Sequence, residues 1–132
     1  MQFVCLTQEL PIDTILPMSL EHIPDWMNCF NGAITVTDEN LTIIYVNEKS
    51  RKTWASYGEI TGKNLLECHN PHSQAIIQKL LKEAGKNVYT IEKNGIKKLI
   101  YQEAWKKPDG TVGGLIELSL EIPFEMDHFI RS

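Results

Sequence analysis

The sequence predicts an α+β domain, with one antiparallel five-stranded sheet and helices packed on one face. Three observations carry this reading. Residues 33–46 alternate in character on either side of a polar turn, as two paired strands do. Residues 71–84 repeat apolar side chains at three- and four-residue intervals, as an amphipathic helix does. Residues 88–122 hold three extended segments separated by Asn94-Gly95 and Lys107-Pro-Asp-Gly110, two turn sequences. The order is helix, two strands, two or three helices, three strands, and a single antiparallel sheet is its simplest closure.

Residues 1–18 read as a leader, interrupted by Pro11 and Pro17, whose Ile12, Ile15 and Leu16 could dock on an apolar surface. A short helix is predicted over 19–30, broken near Pro24. In the first strand pair Ile34 and Val36 alternate with Thr35 and Thr37. Asp38-Glu-Asn40 supplies the turn, and Leu41, Ile43 and Tyr45 alternate with Thr42, Ile44 and Val46. Asn47 is a good N-cap for a helix over 48–57 with Trp54 and Ala55 inward. Gly58 and Gly62 bound a turn-rich stretch leading to Asn64-Leu-Leu-Glu-Cys-His69.

Asn70 then caps the clearest helix, with Pro71 at its first position and Gly85 beyond its end. Ile76, Ile77, Leu80, Leu81 and Ala84 form its apolar stripe, and Gln74, Gln78, Lys82 and Glu83 its wet face. Strands follow over 88–93, 96–105 and 111–122. In the last, Val112, Ile116, Leu118, Leu120 and Ile122 are apolar and Glu117, Ser119 and Glu121 polar, so it has one buried and one wetter face. Gly113-Gly114 marks a bulge or a close approach by another backbone or a ligand. Pro123 ends the strand, and residues 123–132 form a tail.

At 132 residues the chain fits one domain, here residues 19–122, and its 42% apolar content supplies one core. A net charge of −4 argues against nucleic acid as the main partner, and Lys97-Lys98 and Lys106-Lys107 read as solvated edges. No apolar run approaches the ~20 residues of a membrane span. Cys5, Cys29 and Cys68 are odd in number and lack CxxC spacing, and with no signal-peptide pattern this points to a reduced, cytoplasmic setting.

Here the residues meet a family. Thr37-Asp-Glu-Asn-Leu-Thr-Ile-Ile-Tyr-Val-Asn47, with Gly62-Lys-Asn-Leu further on, resembles the opening of a PAS sensory domain. The resemblance spans residues 20–122. It implies the same five-stranded fold and a ligand-sensing or partner-binding role, with pairing of two copies through the N-terminal segment and the outer sheet face. The homodimer expectation also rests on Ile12, Ile15, Leu16, Leu20, Ile23, Trp26, Met27 and Phe30, more apolar surface than a short leader buries alone.

Cys68-His-Asn-Pro-His-Ser73 is the densest cluster of reactive side chains. Cys68, His69 and His72 are the candidate cofactor-binding residues, set where a cleft between helix and sheet would open. The cofactor itself stays unknown. In haem-binding PAS domains an iron-ligating histidine comes from a helix in this part of the fold, and His69, then His72, would take that role. The stretch also resembles the Cys-His-Pro-Pro segment of PAS parts beside hemerythrin-like domains. The plain alternative makes Cys68 a small buried hydrophobe, bonds His69 to nearby backbone and leaves His72 exposed. A structural zinc site wants four ligands, and only three lie together. Light-sensing relatives carry an Asn-Cys dipeptide, whereas Leu65 follows Asn64 here.

Three functions compete: a sensor that binds a small ligand and a signalling partner, a dimerisation scaffold with a filled core, and a small enzyme built on Cys68 and His69. A chain of this length holds no output domain, which favours the first two and puts the output on a partner or on a longer protein.

Overall fold

The computed structural model describes residues 22–132. The expected leader, Cys5 and most of the segment expected to pair two copies lie outside them. Five strands form one sheet: β1 (Ala33–Thr37), β2 (Ile43–Val46), β3 (Lys86–Lys93), β4 (Ile96–Lys106) and β5 (Val112–Ile122). Their order is β2-β1-β5-β4-β3, and every neighbouring pair is antiparallel. Helices α1 (Asp25–Asn28), α2 (Glu48–Thr53) and α3 (Pro71–Glu83) complete the fold, with 3-10 turns at Ala55–Tyr57 and Leu65–Cys68. None of the described helices is long and apolar enough to cross a membrane.

Two helices are shorter than their sequence suggests. Within the described part of 19–30 only one turn forms. Pro24 is extended, and its carbonyl accepts the amides of Met27 and Asn28, so the helix starts behind it. The helix expected over 48–57 ends at Thr53, and Ala55 is exposed. Trp54 leaves the helix and lies half-buried against the core. By contrast α3 matches its signals. The Asn70 side chain accepts from the Ser73 amide, Pro71 opens the helix, and Ala84 closes it at φ 51°.

Ile77 and Leu80 drop from α3 onto Leu41, Ile43, Val46, Ile60, Leu65, Cys68 and Leu115. Ile77 and Leu115 are fully buried, and each such side chain contributes roughly 1.5–3 kcal/mol. Asn47 is also fully buried. Its Oδ1 accepts from the Ser50 and Ile34 amides at 3.0 and 2.9 Å, and its Nδ2 donates to the Gly32 carbonyl at 2.7 Å. One amide thus caps α2 and ties it to the start of β1.

β5 runs through the sheet with a bulge opposite Trp105 and Lys106, at Gly113-Gly114. Gly114 has φ 154°, and a Cβ there would overlap the Thr37 carbonyl oxygen. A Cβ on Gly113 would overlap the Trp105 ring, whose indole donates to that same carbonyl at 2.9 Å. The close approach is therefore by another backbone.

The two faces of β5 are distributed in an informative way. The face under the helices carries Leu115, Glu117 and Ser119, opposite Ala104, Gln102 and Ile100 of β4 and, at Glu117 and Ser119, Thr35 and Ala33 of β1. The apolar alternates Ile116, Leu118 and Leu120 lie on the other face with Ile34, Val36, Leu99 and Tyr101. Half of the sheet's helical side is therefore polar, and that half is where a cleft opens.

Candidate functional site

The site is built from the middle of β5 outward. Glu117 pairs across the sheet with Gln102 on one side and Thr35 on the other. The Gln102 amide donates to Glu117 Oε2 at 2.8 Å, and Asn87 donates to Gln102 Oε1 at 3.2 Å. Thr35 is taken up by the buried Ser50 hydroxyl of α2 at 2.6 Å. Above Glu117 comes His69, at the junction of the Leu65–Cys68 turn and α3. Its Nε2 stands 3.7 Å from Glu117 Oε2, and only 12% and 13% of the two side chains are exposed.

Local bonding fixes His69 from behind. Nδ1 meets the Leu65 carbonyl at 2.9 Å. Gln74, read from sequence as part of the wet face of α3, turns in instead. Its amide donates to the carbonyls of Leu66 and His69 at 2.8 and 2.9 Å and clamps the junction. Trp54 flanks the imidazole at a centroid separation of 5.8 Å.

The electrostatics follow from this contact. Burial alone would lower the His69 pKa, but the Glu117 carboxylate and the Leu65 carbonyl overcome it and hold the imidazole above its ordinary 6.5. Burial alone would raise Glu117, but His69 and the Gln102 amide hold its carboxyl below 4.5. Glu117 is therefore a nearly buried carboxylate. Both of its protein contacts fall on Oε2.

Two cavities flank His69, and Glu117 lines the first of them. One, of about 290 Å³, is lined by Ala33, Thr35, Trp54, His69, Tyr89, Ile91, Ile100, Glu117 and Ser119, with Thr53, Lys93 and Lys98 also on its wall. The second, also about 290 Å³, lies between α3 and the β3–β4 edge and is lined by His69, His72, Ser73, Ile76, Asn87, Tyr89 and Gln102. His69 stands between them.

The three candidate residues separate. His69 faces both cavities and His72 only the second. Cys68 is buried in the apolar cluster with Leu65 and Ile77, where burial, then the nearby Glu67 carboxylate, pushes its thiol above 9.0. Among the described residues no three His, Cys, Asp or Glu side chains come together to hold a metal ion. Haem fits this arrangement poorly. Both nitrogens of His69 face protein oxygens, and each cavity is at the small end of the ~300–1,000 Å³ of ligand pockets. Sequence reading missed Glu117 and Gln74, both of which read as solvent-facing alternates.

The overall fold of this chain is shared by solved structures. The PAS domain of the histidine kinase ThkA matches at a TM-score of 0.54 and 11% identity, over 67% of this chain and 96% of that one. The chain folds as a PAS domain. A PAS domain from Colwellia psychrerythraea matches at 0.54 and 21%, over 74% and 92%. The Aer2 receptor of Vibrio cholerae, described as a dual PAS-heme oxygen sensor, matches at 0.51 and 19%, over 70% and 95%. A scan against protein-family models and a search of curated proteins find no match. At these identities the likeness is one of PAS architecture, and the polar cleft must be read from this chain's own side chains.

Proposed function

We propose that this PAS domain is a non-catalytic sensor module that takes a small molecule into the cleft between Trp54, His69 and the inner sheet face, and passes its occupancy to a signalling protein. The observation that carries this reading is the Glu117 carboxylate, nearly buried and lining a cavity of about 290 Å³ beside the apolar Ala33, Ile91 and Ile100 and the rings of Trp54 and Tyr89. A carboxylate removed from water is costly unless something compensates it, and a filled scaffold core would have no use for one. Similar PAS domains in a histidine kinase and in an oxygen-sensing receptor support a role in signalling. In this reading His69 contacts the ligand, His72 borders the neighbouring cavity on the far side of His69, and Cys68 supports His69 from the core.

A catalytic role for Cys68 and His69 has little support. The thiol is driven toward its neutral form, and His69 is held by Leu65 and Glu117.

The module works as a homodimer. Ile34, Val36, Leu99, Ile116, Leu118 and Leu120 make the outer sheet face apolar, and Phe124, Met126, Phe129 and Ile130 beyond β5 add exposed apolar surface. Two-fold pairing is the commonest way to cover such a face. Native mass spectrometry of freshly purified protein tests both parts. A dimer mass with a bound small molecule is expected. A bare monomer at every concentration would overturn the reading.

A further inference from the structure

Resting on the cleft as a ligand site, we propose that its ligand is a small organic amine with an apolar body, its nitrogen held by Glu117 and its body laid between Trp54, Tyr89, Ile91 and Ile100. The acidic end of the cleft is specific. Gln102 and His69 both approach Oε2 of Glu117, so the carboxylate keeps acceptor capacity toward the cavity that it lines. A donor or cation placed there makes a charge-assisted bond to a carboxylate that is itself largely buried.

The walls fit the rest of such a molecule. Ala33, Ile91 and Ile100 are apolar, and Trp54 and Tyr89 present aromatic rings of the kind that attract an ammonium group. Ser119, one step along the same face from Glu117, adds a hydroxyl able to accept from the same nitrogen. The cavity, at about 290 Å³, admits a molecule below drug size.

The charges facing the cleft divide by position. Lys98 pairs with Glu121 and Gln102 with Glu117, so Lys98 stands four residues along the strand from the carboxylate, ~14 Å of backbone. Lys93 lies further out, beside the Asn94-Gly95 turn of the β3–β4 hairpin. Both lysines line the same cavity as Glu117, from its hairpin end. Tyr89 and His69 are the remaining titratable groups on the wall. An ammonium beside Glu117 is a like charge near His69 and disfavours protonation of the imidazole.

The test uses three probes of one shape: benzylamine, benzyl alcohol and benzoate. Each is titrated into the full chain while amide and indole resonances of Trp54, Tyr89 and Ser119 are followed by NMR. Benzylamine is expected to shift them at concentrations roughly tenfold or more below the alcohol and benzoate. Glu117→Gln, which keeps an acceptor for Gln102, is expected to erase that preference. Ser119→Lys, which tethers an amine in the cleft, is expected to exclude benzylamine and admit benzoate, so the idea does not hang on one variant folding. Cleft shifts with the alcohol or benzoate at equal or lower concentration, or a preference that survives Glu117→Gln, overturn the amine while leaving the cleft a ligand site. Absence of cleft shifts with all three probes overturns both.

Discussion

His69 and Glu117 meet from opposite layers of the fold. The imidazole comes from the helical layer and the carboxylate from the middle of the sheet, 3.7 Å apart, and both line the first cavity while His69 alone also lines the second. The first cavity is thus bordered by two polar contacts between helical layer and sheet, His69 with Glu117 and Ser50 with Thr35.

The contact between His69 and Glu117 makes stability depend on pH in a defined window. Glu117 is held below 4.5, so its contribution is present above that value and is lost as pH falls through the lowered pKa. His69 is held above 6.5, so its contribution is present below that value and is lost as pH rises through the raised pKa. Both contributions are in place between 4.5 and 6.5. The unfolding midpoint of the natural sequence should exceed that of Glu117→Gln by most inside this window and by less on either side. A difference between the two that does not change with pH would dissociate the pair from stability.

Gly114 should tolerate no side chain. Its φ of 154° disfavours any L residue, and a Cβ would overlap the Thr37 carbonyl that also receives the Trp105 indole. Gly114→Ala is expected to cost roughly 3 kcal/mol or more, measured by urea unfolding. Gly113→Ala should cost less, because the overlapping Trp105 ring can move where backbone cannot. Equal, small losses at both positions would contradict this account of the bulge.

The architecture was legible because its signals are local. The Asn70-Pro71 start, the Ile76, Ile77 and Leu80 spacing and the Asn94-Gly95 hairpin each specify their element without help from distant residues. His69 was legible as a site residue because it stands out chemically. Glu117 was not. A strand's alternation reveals that it has two faces but not which of them the helices cover, and here apolar Ile116 and Leu118 point away from the helices while Glu117 and Ser119 point toward them. The sequence cue was present in Thr35 and Gln102, polar residues at positions of neighbouring strands that come to flank Glu117. It becomes visible only once the register is known. The helix ends near Pro24 and Thr53 were obscured for a related reason, since Trp54 leaves its helix to pack on the core.

Asn47 should be the most costly polar residue to remove. Asn47→Ala strips the α2 cap and leaves the Ile34 amide and the Gly32 carbonyl buried without their partner. The cap contributes about 1 kcal/mol and each orphaned group about 1–3 kcal/mol, so a loss of ~2–4 kcal/mol is expected after partial relaxation. Asn47→Asp keeps both acceptor bonds and loses only the donors, yet places a charge in a fully buried position beside the Gly32 carbonyl. It should therefore destabilise as well, and increasingly so as pH rises and the carboxyl ionises. Chemical denaturation of both variants at two pH values separates the terms, and an Asp variant as stable as the natural sequence at neutral pH would contradict the burial.

The two described cysteines should differ sharply in reactivity. Cys29 is exposed, and Cys68 is buried among Leu65 and Ile77 with its thiol pushed above 9.0 by burial and by neighbouring carboxylates. Thiol reagents attack the thiolate, so Cys68 is protected twice, by access and by charge. In a Cys5→Ser background, one equivalent should react rapidly with a disulfide reagent and the second roughly a hundredfold or more slowly, at a rate set by opening of the fold. Cys29→Ser should remove the fast phase alone. Mild denaturant should accelerate the slow phase in step with the loss of stability, because reaction at Cys68 requires α3 to lift from the sheet. If Cys68 reacts fast in the native protein, the core beneath His69 opens to solvent more freely than this packing allows, and a redox role for Cys68 regains its place beside ligand sensing.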